Sequence, residues 1–103
     1  MNYTYILKSL KTSGAIYIGY TADLKSRLSQ HNRPDSKFYS RRHSPWVVES
    51  YIGFTLERDA KNFETYLKSN SGKAFLRKRL ISNQFKEALK KFNNGRDQKV
   101  SET

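Results

Sequence analysis

The sequence predicts an α+β fold: a small three-stranded antiparallel sheet flanked by helices, in the order β-β-α-β-α-α. Two β-branched and aromatic runs, "YTYIL" (residues 3–7) and "AIYIGY" (15–20), are separated by a short polar stretch containing Gly14, which is the pattern of a hairpin. A third run of this kind, "WVVESYIGF", follows Pro45. After the second and third strands, apolar residues recur at helical spacing.

In the second strand, Ile16, Ile18 and Tyr20 face one way while Ala15, Tyr17 and Gly19 face the other. Thr21 is placed to cap a helix over 22–31, with Asp23 in its first turn and Leu24, Leu28 and His31 along one side. Residues 32–44, "NRPDSKFYSRRHS", read as a polar loop rich in arginine and tyrosine. Thr55 is the expected cap of a helix over 56–69, which has Glu57 and Asp59 in its first turn and buries Ala60, Phe63 and Leu67. "SNSG" is expected to break that helix. A further helix over 73–81 has Phe75, Leu76 and Leu80 as its apolar residues. A last amphipathic run carries Phe85, Ala88, Leu89 and Phe92 on one face. The expected organisation is a domain over 1–82, a C-terminal helix over 83–93 packed on it, and a disordered tail over 94–103.

With 103 residues the chain has enough length for one core. Hydrophobic content is 36% and aromatic content 14%, so aromatic rings must fill much of that core. Without cysteine, neither a disulfide nor a thiolate zinc site can form, and the composition suits a reducing, cytoplasmic setting. No run approaches the roughly 18 apolar residues of a bilayer span, and no apolar leader is read at the start. The net charge of +11 favours a polyanionic partner, and nucleic acid leads because binding to it releases condensed counterions. A membrane surface is not expected, since the basic residues do not gather on one amphipathic helix. No G-x-G-x-x-G or P-loop follows any strand.

One detail resists a packing explanation: the first helix places Arg27 and His31 on its apolar edge. Taken with Tyr5 in the first strand, "YIG" at 17–19 and Glu64 in the next long helix, their order and spacing resemble the GIY-YIG nuclease family. The phrase "YLKSNSGKAFLRKRL" resembles the stand-alone, single-domain members related to the N-terminal nuclease module of UvrC. The resemblance covers about residues 3 to 80.

The resemblance implies an endonuclease that hydrolyses phosphodiester bonds with one divalent ion, Mg²⁺ or Mn²⁺. Its substrate would be DNA, in repair or recombination, and it would act as a monomer. Glu64 would hold the metal, and a single carboxylate suits an ion that keeps most of its waters. Arg27 would bind the scissile phosphate, Tyr17 would orient or deprotonate the attacking water, and Tyr5 and His31 would assist. Arg41, Arg42, Lys73, Arg77 and Lys78 would contact the nucleic acid. The chain departs from the family at Tyr3-Thr4-Tyr5, where the first motif reads Gly-Ile-Tyr, and at Tyr20, where some members carry lysine. Near Leu76, UvrC-like members carry an asparagine. The residue-level alternatives are cross-strand packing for Tyr5 and Tyr17, an i, i+4 ion pair with Lys68 for Glu64, and a packing role for His31. At the level of the whole chain, the alternative is a non-catalytic nucleic-acid-binding module on the same fold.

Overall fold

A computed structural model of the chain describes residues 1–34 and 42–81. The expected helix over 83–93 and tail over 94–103 lie outside the described residues, as do Phe38, Tyr39 and Arg41 of the basic loop.

Strand β1 (Asn2–Ser9) and strand β2 (Ile16–Thr21) form the hairpin, with Gly14 at the turn in the left-handed region, φ 87°. Helix α1 (Leu24–Asn32) leads to strand β3 (Trp46–Phe54), followed by helices α2 (Glu57–Leu67) and α3 (Asn70–Arg79). The sheet is antiparallel with order β2-β1-β3, so β1 is central and paired on both edges. Tyr5 stands opposite Gly19 on one side and Tyr51 on the other. The β1–β3 register shifts between Ile6 and Leu7, and beside that irregularity Glu49 pairs with Lys8 at 3.3 Å.

Both faces of the sheet are covered, so strand alternation separates aliphatic residues from aromatic ones. Ile6, Ile16 and Ile18 pack with Leu67, Leu76 and Ile81 on the α2–α3 face. Tyr5, Leu7, Ala15, Tyr17 and Trp46 form the other cluster, against which Leu24 and Leu28 of α1 pack. The two-faced reading of β2 therefore holds.

Several caps differ from expectation. Thr21 remains the last residue of β2, opposite Tyr3, so α1 begins two residues later than expected. Asp23 is its N-cap and accepts from the Ser26 N–H at 3.0 Å, while the Thr21 hydroxyl accepts from the Asp23 N–H. The N-cap of α2 is Leu56, which makes no side-chain cap bond, because Thr55 lies one residue too early. Glu57 and Asp59 still stand in the first turn, where the helix dipole favours them. Phe63 is half-buried and packs against the aliphatic core, whereas Phe75 is exposed and does not anchor it as expected.

"SNSG" interrupts the helix only briefly, and then starts the next one. Ser69 caps α3 by accepting from the Gly72 N–H at 3.1 Å. Gly72 sits so close to α2 that a Cβ there would lie 1.8 Å from the Tyr66 carbonyl oxygen. Only glycine permits this close helix–helix turn.

Candidate active site

Four of the predicted residues converge on the aromatic side of the sheet. Tyr5 and Tyr17 come from adjacent strands and stack with centroids 6.2 Å apart. From the last turn of α1, His31 packs edge-on against both rings and is fully buried. Its ring lies 4.3 Å from that of Tyr17, and its Nε2 is 3.0 Å from the Tyr5 hydroxyl. Arg27, one turn earlier on α1, hydrogen-bonds to the Tyr5 hydroxyl and acts on it as a charge.

These contacts set the protonation states. Burial pushes the Tyr5 phenol up to about 12, against the opposing pull of Arg27, and the Glu64 charge raises it further. Burial also holds His31 down to about 4, and the nearby Arg27 cation adds to that. At neutral pH Tyr5 is thus a phenol and His31 a neutral imidazole. Arg27 can only donate, so the Tyr5 oxygen accepts from it. The phenolic proton can then go to His31 Nε2, which leaves the imidazole proton on Nδ1. Tyr5 thus bridges Arg27 and His31, and its raised pKa keeps it protonated at neutral pH, so no phenolate is available there to act as a base.

Glu64 is 7% exposed on α2, and its charge raises the Tyr5 pKa. Its Oε2 accepts from the Lys68 ammonium at 2.7 Å. The i, i+4 pair weighed as an alternative is therefore present. Among the described residues no group of three or more His, Cys, Asp or Glu side chains is placed to share a metal ion.

The predicted nucleic-acid contacts lie on other segments. Arg42 is exposed in the segment leading to β3, where its carbonyl accepts from the Lys11 ammonium. Lys73 and Arg77 share one side of α3, with Lys78 beside them, and both Arg77 and Lys78 are exposed in its last turn. Arg41 falls outside the described residues. Leu76, near the expected asparagine, is buried in the aliphatic core, and Asn70 is the exposed first residue of α3.

Three supports were not identified from the sequence. Asn32 bonds both backbone groups of Trp46, accepting from its N–H at 2.6 Å and donating to its carbonyl at 3.0 Å. The end of α1 carrying His31 is thereby fixed to the start of β3. Thr4 donates to the Ala60 carbonyl at 2.6 Å, joining β1 to α2 one turn before Glu64. Tyr3, Tyr51, Leu24, Leu28, Val48 and Lys25 help line an open groove of about 510 Å³, in which Tyr3 and Tyr51 meet edge to face at 5.7 Å. The alternation of Tyr3 with Tyr5 was the only available sign of this groove.

Comparison with known proteins gives the family. A family model described as the GIY-YIG catalytic domain matches residues 1–79. A UPF0213 protein of Clostridium perfringens is 35% identical over 68 residues, which is 66% of this chain and 71% of that protein. A UPF0213 protein of Bacillus pumilus is 34% identical over 68 residues, covering 66% of this chain and 67% of its own. A UPF0213 protein of Bacillus halodurans, solved by solution NMR, aligns with a TM-score of 0.48 at 27% identity, over 84% of this chain and 94% of that one. With its matched span, its three-stranded sheet and its tyrosine pair on β1 and β2, the chain belongs to the GIY-YIG nuclease family.

Proposed function

We propose that the protein is a small metal-dependent endonuclease that hydrolyses phosphodiester bonds in DNA, with single-stranded or branched DNA as candidate substrates. The observation that carries this reading is the cluster of Tyr5, Tyr17 and His31, with the Tyr5 hydroxyl 3.0 Å from His31 Nε2 and the charges of Arg27 and Glu64, from different helices, both acting on that hydroxyl. Pure electrostatic binding has no use for a shielded carboxylate beside a phosphate site. Cleavage does, because a cation held by Glu64 would stabilise the charge that develops on the phosphate oxygens.

The residues present suit one hard divalent ion. Glu64 already holds a cation, the Lys68 ammonium, at 2.7 Å, so its carboxylate is oriented towards positive charge. A lone carboxylate leaves the remaining positions to water and substrate oxygens, which fits Mg²⁺ or Mn²⁺. When bound, the ion supplies Lewis-acid stabilisation of the phosphoryl group. Arg27 presents a planar fork to phosphate oxygens. Tyr17, held edge to face against His31, orients the attacking water. Tyr5 and His31 hold Arg27 and Tyr17 in place. Arg42, Lys73, Arg77 and Lys78, together with Arg41 outside the described residues, attract the backbone of the substrate.

The proposed setting is a cytoplasmic monomer whose catalytic unit spans 1–82, working in repair or recombination. No helix among the described residues is long and apolar enough to cross a membrane. The Glu64–Lys68 pair keeps a second reading open, a basic binding module on the same fold.

The deciding experiment measures cleavage and binding on one preparation, with duplex, single-stranded and branched DNA and added Mg²⁺ or Mn²⁺. Wild type is expected to cut, and Glu64→Gln is expected to bind without cutting. A folded Glu64→Gln protein cutting at the wild-type rate removes Glu64 from the metal site. A wild type that binds and never cuts selects the binding module.

A further inference from the structure

Lys68 is not an ordinary surface lysine. Its side chain is 22% exposed, and its ammonium donates to Glu64 Oε2 at 2.7 Å, a charge-assisted distance. It caps the C-terminal end of α2, where its N–H bonds to the Thr65 and Tyr66 carbonyls and where the helix dipole favours a cation. Its partner is 7% exposed, so the attraction is screened far less than in an open i, i+4 pair.

From this geometry we propose that Lys68 is a resident counter-cation of Glu64 that competes with the divalent metal and sets its affinity. The inference rests on the reading of Glu64 as the metal carboxylate. An ammonium and a divalent ion beside one carboxylate repel each other, and in a shielded place that repulsion is strong. A divalent ion at Glu64 would therefore have to displace the Lys68 ammonium or bind more weakly beside it. The lysine stem is flexible enough for that displacement, and a substrate phosphate offers the departing ammonium a new anionic partner. Lys68 thus keeps Glu64 neutralised and oriented in the free protein. Metal loading becomes favourable when a phosphate takes over the ammonium, which links metal binding to substrate binding in both directions.

The test is binding of Mn²⁺ alone to the free full-length chain, followed by titration calorimetry and by the loss of the free Mn²⁺ paramagnetic signal. Wild type is compared with Lys68→Met, Lys68→Arg and Glu64→Gln, with helix content checked by circular dichroism. Lys68→Met keeps the stem and removes the charge. It is expected to bind Mn²⁺ about tenfold tighter than wild type, the scale of a shielded unit-charge repulsion. Lys68→Arg should stay near wild type, and Glu64→Gln should bind none at this site. Equal Mn²⁺ affinity in wild type and Lys68→Met, with binding lost in Glu64→Gln, overturns the role of Lys68 and leaves the metal reading standing. Tighter binding by Lys68→Arg as well as Lys68→Met also overturns it, because the charge would then not be the cause. Absence of Mn²⁺ binding in both wild type and Lys68→Met, with the fold intact, removes the metal reading itself.

Discussion

Thr4 donates its hydroxyl to the Ala60 carbonyl at 2.6 Å in the buried interior, 56 residues away in sequence. In an α-helix that carbonyl is also the acceptor for the N–H of residue 64. The central strand thus holds α2 at the turn that delivers Glu64. An isoleucine, as in the family's Gly-Ile-Tyr pattern, would have no donor for this carbonyl.

Thr4→Val keeps the branched shape and removes the donor. It is expected to lower unfolding free energy by about 1–2 kcal/mol, the cost of losing a buried hydrogen bond, with Thr4→Ser closer to wild type. Urea unfolding monitored through Trp46 measures this. Equal midpoints for wild type and Thr4→Val would mean that the bond adds nothing to holding α2 on the sheet.

Arg27→Ala should lower single-turnover cleavage by roughly 10²-fold or more, the scale for loss of a key donor to developing charge. Arg27→Lys should rescue poorly, because an ammonium cannot bridge both Tyr5 and a phosphate as a planar fork does. The measurement is the rate at saturating enzyme. Rates equal to wild type would remove Arg27 from the chemistry.

His31 predicts an acid-dependent stability. Its folded pKa of about 4 lies below the ordinary 6.5, because burial and Arg27 disfavour the imidazolium. The unfolded state therefore takes the proton first. The contribution is full above pH 6.5 and is lost as pH falls towards 4, to a total of at most about 3 kcal/mol. His31→Gln should flatten the urea midpoint between pH 6.5 and 4 relative to wild type. An unchanged slope in that variant would assign the acid sensitivity elsewhere.

Nucleic-acid affinity should fall steeply with salt and depend little on sequence, given the net charge of +11. Tyr51, exposed beside the groove it forms with Tyr3, is the expected stacking surface for an unpaired base. Tyr51→Ala should weaken single-strand binding by about 1–3 kcal/mol and leave duplex binding nearly unchanged. Fluorescence anisotropy of labelled strands across a salt series measures both effects. A salt-independent affinity contradicts the electrostatic account, and an equal loss on both substrates contradicts stacking.

The sequence by itself determined the element order, the antiparallel sheet and the division of β2 into an aliphatic and an aromatic face. These follow from local rules: a period of two in strands, helical spacing, and Gly14 at a turn. The order and spacing of Tyr5, Tyr17, Arg27, His31 and Glu64 also made the family legible. Cap positions were misjudged because Thr21 and Asp23, like Thr55 and Leu56, differ by only a residue or two, and sheet pairing decides where a strand ends. Only the tertiary structure decided which charges meet. Burial keeps Tyr5 a phenol against the pull of Arg27, and burial together with Arg27 keeps His31 neutral. The Glu64–Lys68 pair is local to one helix and was legible as an i, i+4 spacing, whereas Asn32 joins α1 to Trp46 and Thr4 joins β1 to α2. Such contacts depend on how helices settle on a sheet, and the desolvation that shifts a pKa exists only after they have settled.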